Sequence, residues 1–171
     1  MKNIIIYGGK GNGTVLLNAV LDINKIPNVY HYNVIGFVNN QYERVQSIDG
    51  FPVLGDIEHL KDLLPKYDAF FINGISSVKT MELVENLFDK KYSMLRERSV
   101  SIVHPNSIIC SNVEIGIGCF IGPQNYIGQN VKIGNHCFIH SQCYIARDSF
   151  ISDFNYFAPK VYLGAEVKVG K

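Results

Sequence analysis

No apolar run in the sequence approaches the roughly 20 residues that cross a bilayer as a helix, so no transmembrane helix is expected. No charge of one sign prevails: 16 Lys and Arg stand against 15 Asp and Glu, a net charge of +1. That balance excludes the basic footprint of a nucleic-acid binder or of a protein held on an anionic membrane. The N-terminus, Met1-Lys2-Asn3-Ile4-Ile5-Ile6, is too short for a signal-peptide core and runs straight into glycines. It reads as a strand of a cytoplasmic protein. Four cysteines, Cys110, Cys119, Cys137 and Cys143, are spaced nine, eighteen and six apart. That matches no zinc pattern, and no metal is expected. Without an export signal the thiols read as reduced, buried and packed as small apolar groups.

What is present is a chain of 171 residues, 47% apolar and 18% charged. That suffices for one ordinary domain or two small ones with a buried core. Up to about Val100 strand-like and helix-like segments alternate. Lys2–Tyr7 is a β-branched strand, followed by Gly8-Gly9-Lys10-Gly11-Asn12-Gly13. Thr14–Asn24 reads as a helix with Val15, Leu16, Ala19 and Val20 on its apolar face. Asn33–Val38 is a second strand and Ala69–Asn73 a third. Asp56–Leu64 is a short helix with Asp56 as N-cap, and Ser77–Asp89 a helix with Met81, Val84, Leu87 and Phe88 on one stripe. This order favours a small parallel sheet with helices on its faces, a truncated nucleotide-binding fold.

From Val103 an aliphatic or aromatic residue recurs every six positions, through Ile109, Ile115, Ile121, Ile127, Ile133, Ile139, Ile145, Ile151, Phe157 and Leu163 to Val169. Glycine follows six of these, and a small or β-branched side chain usually stands four positions after, as at Val113, Cys119 and Cys137. The period is that of a hexapeptide repeat, the signature of a parallel β-helix. Six residues make one side and a corner, three sides make an 18-residue coil, and coils stack at the usual strand spacing of about 4.8 Å. Cys119 and Cys137 should then stack, and a glycine after the inward residue fits a tight corner. Short prisms of this kind pack side by side about a threefold axis. The sequence stops at Gly170-Lys171 just after a repeat begins, so either the top edge is exposed or a tail continues beyond Lys171, and the tail is favoured.

The glycine loop places backbone N–H groups and a helix N-terminus where an anion can approach. Gly8 and Gly13 match the outer glycines of a dinucleotide fingerprint, but Lys10 replaces the middle one and Asn39-Asn40 stand where an acidic residue would hold the ribose. NAD is disfavoured. A nucleotide-sugar diphosphate and an empty strand–helix turn both remain open.

Taken together, Ile5 to Gly13, Ile35-Gly36-Phe37-Val38, Pro52-Val53-Leu54-Gly55, Ile72-Asn73-Gly74, Val103-His104-Pro105, the hexads and Asp153 to Pro159 resemble the sugar acyltransferases of the sialic acid O-acetyltransferase and bacillosamine N-acetyltransferase group. The resemblance implies an α/β Rossmann-like domain over residues 1–100, which binds a nucleotide-linked amino sugar through Gly8, Gly9, Lys10, Gly11, Asn12, Gly13, Asn39, Asn40, Asn73 and Gly74. It implies an all-β left-handed parallel β-helix over residues 101–171. It also implies a homotrimer with acetyl-CoA between adjacent β-helices, touched by Tyr156, Ala158, Pro159 and Gly164, and a role in bacterial surface glycan synthesis.

The family places a catalytic His, usually followed by an acidic residue, two positions after one inward residue. Here that position holds Arg147, before Asp148, and arginine stays protonated and cannot act as a base. Three accounts compete. The base has moved to His140 or His136; or no protein base is needed, because a free amine attacks the thioester unaided; or the protein is a catalytically inactive scaffold. Transfer to an amine is favoured over a hydroxyl, which needs a base more. Arg147 could also recognise an acidic donor or acceptor through its planar fork. His31 and His59 read as surface residues, and His104, before Pro105, as part of a structural turn.

Overall fold

The computed structural model describes residues 1–75 and 93–170. The chain divides into two compact units, Met1–Val100 and Ser101–Lys171. The first runs β1 (Lys2–Tyr7), α1 (Asn12–Ile23), β2 (Tyr32–Val38), β3 (Ser47–Ile48), β4 (Phe51–Pro52), a 3-10 turn (Ile57–His59), α2 (Leu60–Lys66), β5 (Ala69–Asn73) and α3 (Ser93–Glu97). The helix expected over Ser77–Asp89 lies outside the described residues.

β1 is the centre of a three-stranded parallel sheet, between β2 and β5. Ile4, Ile5, Ile6 and Tyr7 are fully buried, as expected for a central strand covered on both faces. α1 starts at Asn12, two residues before the expected Thr14, so the last glycine of the loop already belongs to its first turn. Its buried stripe is Leu16, Leu17, Val20 and Ile23, whereas Val15 is 38% exposed. Leu16, Ala19 and Val20 are thus buried as expected, and Leu17 and Ile23 take the place of Val15 on that face. Asp56 caps its helix as expected, its carboxylate accepting the Glu58 N–H at 3.0 Å, but the first turn is 3-10.

β3 and β4 form a short antiparallel hairpin around Asp49 and Gly50, both at positive φ. The chain then lies against β2: the Leu54 N–H donates to the Phe37 carbonyl at 2.8 Å. A Cβ on Gly36 would meet the Pro52 carbonyl oxygen at 2.5 Å. The two segments Ile35–Val38 and Pro52–Gly55 are thus a single packing unit.

The second unit is built from two-residue parallel strands in three four-stranded sheets. The first face stacks Ile102–Val103, Phe120–Ile121, Phe138–Ile139 and Tyr156–Phe157. The second stacks Ile108–Ile109, Tyr126–Ile127, Tyr144–Ile145 and Tyr162–Leu163. The third stacks Glu114–Ile115, Lys132–Ile133, Phe150–Ile151 and Lys168–Val169. This is a parallel β-helix of hexapeptide repeats, and its stacked strands fit the left-handed form. The residue of period six is the inward one, and Ile121, Ile127, Ile139, Ile145 and Ile151 are fully buried in one core.

From Ile109 onward each corner turns on a residue three positions after the inward one. Asn112, Gln124, Asn130, His136, Gln142, Asp148, Phe154, Lys160 and Glu166 all have φ between 55° and 64°, and Gly118 has 68°. The glycine after the inward residue therefore has a different reason from the one expected. It is not left-handed; at Gly116, Gly122, Gly128 and Gly134 it lets the next coil come close. A Cβ on Gly128 would meet the Arg147 nitrogen at 2.6 Å, and one on Gly134 the Asp153 nitrogen at 2.6 Å.

The small residues four positions on are hydrogen-bonding groups as well as fillers. Ser107 Oγ donates to the Gly122 carbonyl at 2.6 Å, Cys119 Sγ to Gly134 at 3.0 Å, Cys137 Sγ to Ser152 at 3.2 Å, Cys143 Sγ to Ala158 at 3.2 Å and Ser149 Oγ to Gly164 at 3.0 Å. Each serves the coil fifteen residues ahead. Cys119, Cys137 and Cys143 are buried free thiols, while Cys110 is partly exposed.

Gly128→Ala should lower stability by about 2 kcal/mol, because every atom its methyl would meet is backbone that must move to open the coil spacing. Gly164→Ala should leave stability unchanged, since the nearest atom stands at 3.9 Å. Paired denaturant titrations of the two variants measure the difference.

Candidate functional site

Three glycines bring the C-terminal end of the first unit's sheet against α1. The Gly8 N–H donates to Val38 at 3.0 Å and the Gly74 N–H to Tyr7 at 2.7 Å. A methyl on Gly8, Gly13 or Gly74 would come within 3.3 Å of a neighbouring glycine's backbone. Close packing alone therefore accounts for these three. In front of them lies a cavity of about 950 Å³. Of the residues expected to hold a nucleotide-linked sugar, Gly9, Lys10, Asn12, Gly13, Asn39, Asn40 and Gly74 line it; Gly8, Gly11 and Asn73 do not. Arg44, Gln46 and Ser47 also line it and were not singled out from the sequence.

Asn39 is spent on the loop itself. Its Nδ2 donates to the Gly8 carbonyl at 3.0 Å and its Oδ1 accepts the Gln41 N–H at 2.7 Å. Asn40 Oδ1 accepts from the Tyr7 hydroxyl at 3.3 Å. Burial pushes the Tyr7 hydroxyl above its ordinary pKa, so it remains a donor. Asn73 closes a turn, accepting the Ile75 N–H at 3.0 Å.

In the β-helix the sequence candidates fall at different corners of one coil. His140 follows the first face, whereas Arg147 and Asp148 follow the second. His140 meets the Tyr156 ring edge-on at 5.5 Å, and the backbone N–H of His140 donates to Phe157 at 3.0 Å. Ala158 and Pro159 are exposed beyond that corner, while Gly164 belongs with the Arg147 corner. His136 is buried, its ring stacked on Phe154 at 5.2 Å.

Arg147 is 59% exposed and lies between two carboxylates, 2.5 Å from Asp148 and 3.1 Å from Glu166. Asp148 is a left-handed corner residue that also accepts from Asn130 Nδ2 at 2.8 Å. The Asn130 hydrogen bond, then Arg147, holds its carboxyl below the usual range. Among the described residues no group of three His, Cys, Asp or Glu could hold a metal, and no helix is long and apolar enough to cross a membrane.

Residues 112–147 match the family described as bacterial transferase hexapeptide (six repeats). No curated protein sequence matches the chain. Among solved structures, a histidine-to-alanine variant of GDP-perosamine N-acetyltransferase from Caulobacter crescentus, in complex with CoA and GDP-perosamine, has a TM-score of 0.78 at 19% identity, over 98% of this chain and 74% of that one. The acetyltransferase domain of PglB from Neisseria gonorrhoeae has a TM-score of 0.80 at 16% identity, over 100% and 78%. WeeI from Acinetobacter baumannii has 0.72 at 23%, over 95% and 72%. At these identities the likeness establishes a shared fold. The resemblance to hexapeptide-repeat sugar acyltransferases read from the sequence agrees with both comparisons.

Within the hexapeptide prism His140 is only 8% exposed, and burial lowers its pKa from the ordinary 6.5. The folded state therefore binds this proton less readily than the unfolded chain. Its contribution to stability is fully present above 6.5 and is lost as pH falls through the lower folded value. His140→Gln should accordingly flatten the acid limb of a stability–pH curve, and an NMR titration of the wild-type ring should give a midpoint below 6.5.

Proposed function

We propose that the protein is an acyltransferase that moves an acetyl group from acetyl-CoA to an amino group of a nucleotide-linked sugar in bacterial surface glycan synthesis. The observation that carries this reading is the cavity at the sheet end of the first unit, in a chain whose second unit matches a transferase hexapeptide repeat. The first unit then acts as a Rossmann-like nucleotide-sugar domain. The second acts as a left-handed β-helix that assembles as a cytoplasmic homotrimer, with acyl-CoA held between neighbouring prisms near Tyr156, Ala158, Pro159 and Gly164.

The free amine attacks the thioester carbonyl carbon, the carbon–sulfur bond breaks, and CoA leaves as its thiolate. The surplus ammonium proton passes to His140, to water or to that thiolate. A buried imidazole held neutral at pH 7 can accept it. Arg147 cannot, and its two carboxylate partners leave little of its charge for an acidic ligand.

That pinning favours a second reading, a catalytically inactive relative that binds the nucleotide sugar as a scaffold. CoA-thiol release with a panel of nucleotide-linked amino sugars separates the two. The enzyme reading expects turnover on an amino acceptor, with a loss of about 10²-fold or more in His140→Ala if that ring is the base. Silence on amines with turnover on hydroxyl sugars would move the assignment to O-transfer. An inactive wild type that gains activity as Arg147→His would establish the scaffold reading.

A further inference from the structure

Asn39 follows β2 directly, where dinucleotide-binding folds set an acidic residue against the ribose. Its side chain is already engaged at both ends. Nδ2 donates to the Gly8 carbonyl at 3.0 Å, and Oδ1 accepts the Gln41 N–H at 2.7 Å. Its backbone is engaged as well. The Asn39 N–H donates to the Gly55 carbonyl at 2.8 Å, and the Asn39 carbonyl accepts the Tyr42 N–H at 2.9 Å. One residue thus ties together the glycine loop, the turn after β2 and the segment after β4. The Gly8 N–H, donating to Val38 at 3.0 Å, fastens the loop a second time.

The two side-chain partners leave room for one kind of group. A carbonyl asks for a donor and an N–H for an acceptor, and at this length only a neutral amide offers one of each. The same pairing fixes which end of the Asn39 amide is oxygen. A carboxylate would keep the bond to Gln41, as Asx turns do, but would face the Gly8 carbonyl with a second acceptor. Gly9 is fitted to the same amide. A methyl on it would meet Asn39 Nδ2 at 2.6 Å and, its chain neighbours aside, no other described residue within 4 Å. The cavity of about 950 Å³ is lined chiefly by the glycine loop and by the chain between β2 and β3. These are the segments that Asn39 joins.

We infer that Asn39 is a positioning residue for the nucleotide-linked sugar. Its amide sets the spacing of the two cavity-lining segments, and the ligand is touched by its neighbours and not by Asn39 itself. The inference rests on the nucleotide-sugar reading above and revises the direct contact that the resemblance implies for this residue. A segment held in place beforehand loses little further freedom when a ligand binds, whereas an untethered one must be ordered at that moment. The two roles predict opposite outcomes for one substitution. Asn39→Asp would preserve or strengthen a contact to ribose hydroxyls, and it breaks the tether to Gly8.

The test is calorimetric titration of the full chain with UDP, GDP, CDP, ADP and dTDP, the tightest binder serving as probe for the variants. Asn39→Asp should weaken it about ten-fold, as for one lost hydrogen bond. Gly9→Ala removes no hydrogen-bonding group and should weaken the probe by a similar factor, because its methyl displaces the amide. In an Asn39→Ala background the same Gly9→Ala change should alter affinity by less than about two-fold, since the atom its methyl meets is gone. Circular dichroism of each variant checks the fold, and the Gly9→Ala pair decides the matter if Asn39→Asp does not fold. Undiminished binding by Asn39→Asp or Gly9→Ala, or losses that add in the double variant, would overturn the positioning role and leave the nucleotide-sugar reading standing. A wild type that binds no nucleotide would overturn both.

Discussion

Each coil of the prism is tied to the one beneath it by the backbone N–H of a left-handed corner residue. Asn130 donates to Ser111, Gln142 to Pro123, Asp148 to Gln129 and Lys160 to Ser141, at 2.9 to 3.2 Å. Only the left-handed conformation turns that N–H towards the previous coil, so the geometry is repeated whatever side chain occupies the corner. Asn and Asp tolerate it well. His136, Phe154 and Lys160 adopt it because the bonds on either side leave no alternative. Residues that look chemical in the sequence are thereby drawn into the framework. Asp148 is a corner residue, and the carbonyl of Arg147 accepts the Glu166 N–H at 3.0 Å.

The period of the β-helix was fully legible because an inward residue every six positions is a packing requirement, and packing constrains side-chain type. Less legible was the reason for each accompanying residue. A glycine after the inward position signals a special backbone or a close neighbour, and the sequence does not distinguish them. The structure shows a close neighbour at Gly128 and Gly134. The recurrence of Ser and Cys four positions on reads as smallness, and their common property, a hydrogen donor for the coil ahead, shows only when the coils are stacked. The hairpin at Ile48-Asp49-Gly50-Phe51 did carry a signal, an Asp-Gly turn between apolar residues. Its strands are two residues long, too short for periodicity to mark.

The candidate site divides along the same line. Gly9, Lys10, Asn12 and Gly13 of the glycine loop, read from local turn chemistry, line one cavity with Asn39, Asn40 and Gly74, which only the resemblance implied. Arg44 was missed because nothing local marks it: an arginine in a polar turn resembles any solvated residue until the fold brings the turn beside the loop. In the prism His140 and Arg147 are seven residues apart, which in linear terms suggests one site. A six-residue side and its corner instead send them to successive edges of the prism.

The six-residue side also governs how such a chain can change length. One extra residue within a face would turn every later inward side chain outward and every outward one inward, down to the last coil. Growth is tolerated as a loop bulging from a corner, where the backbone already faces water, or as a whole turn of eighteen that copies the existing rungs. A lineage carrying this architecture is therefore expected to vary by ornament at its edges and by multiplication of floors, with its walls conserved in dimension.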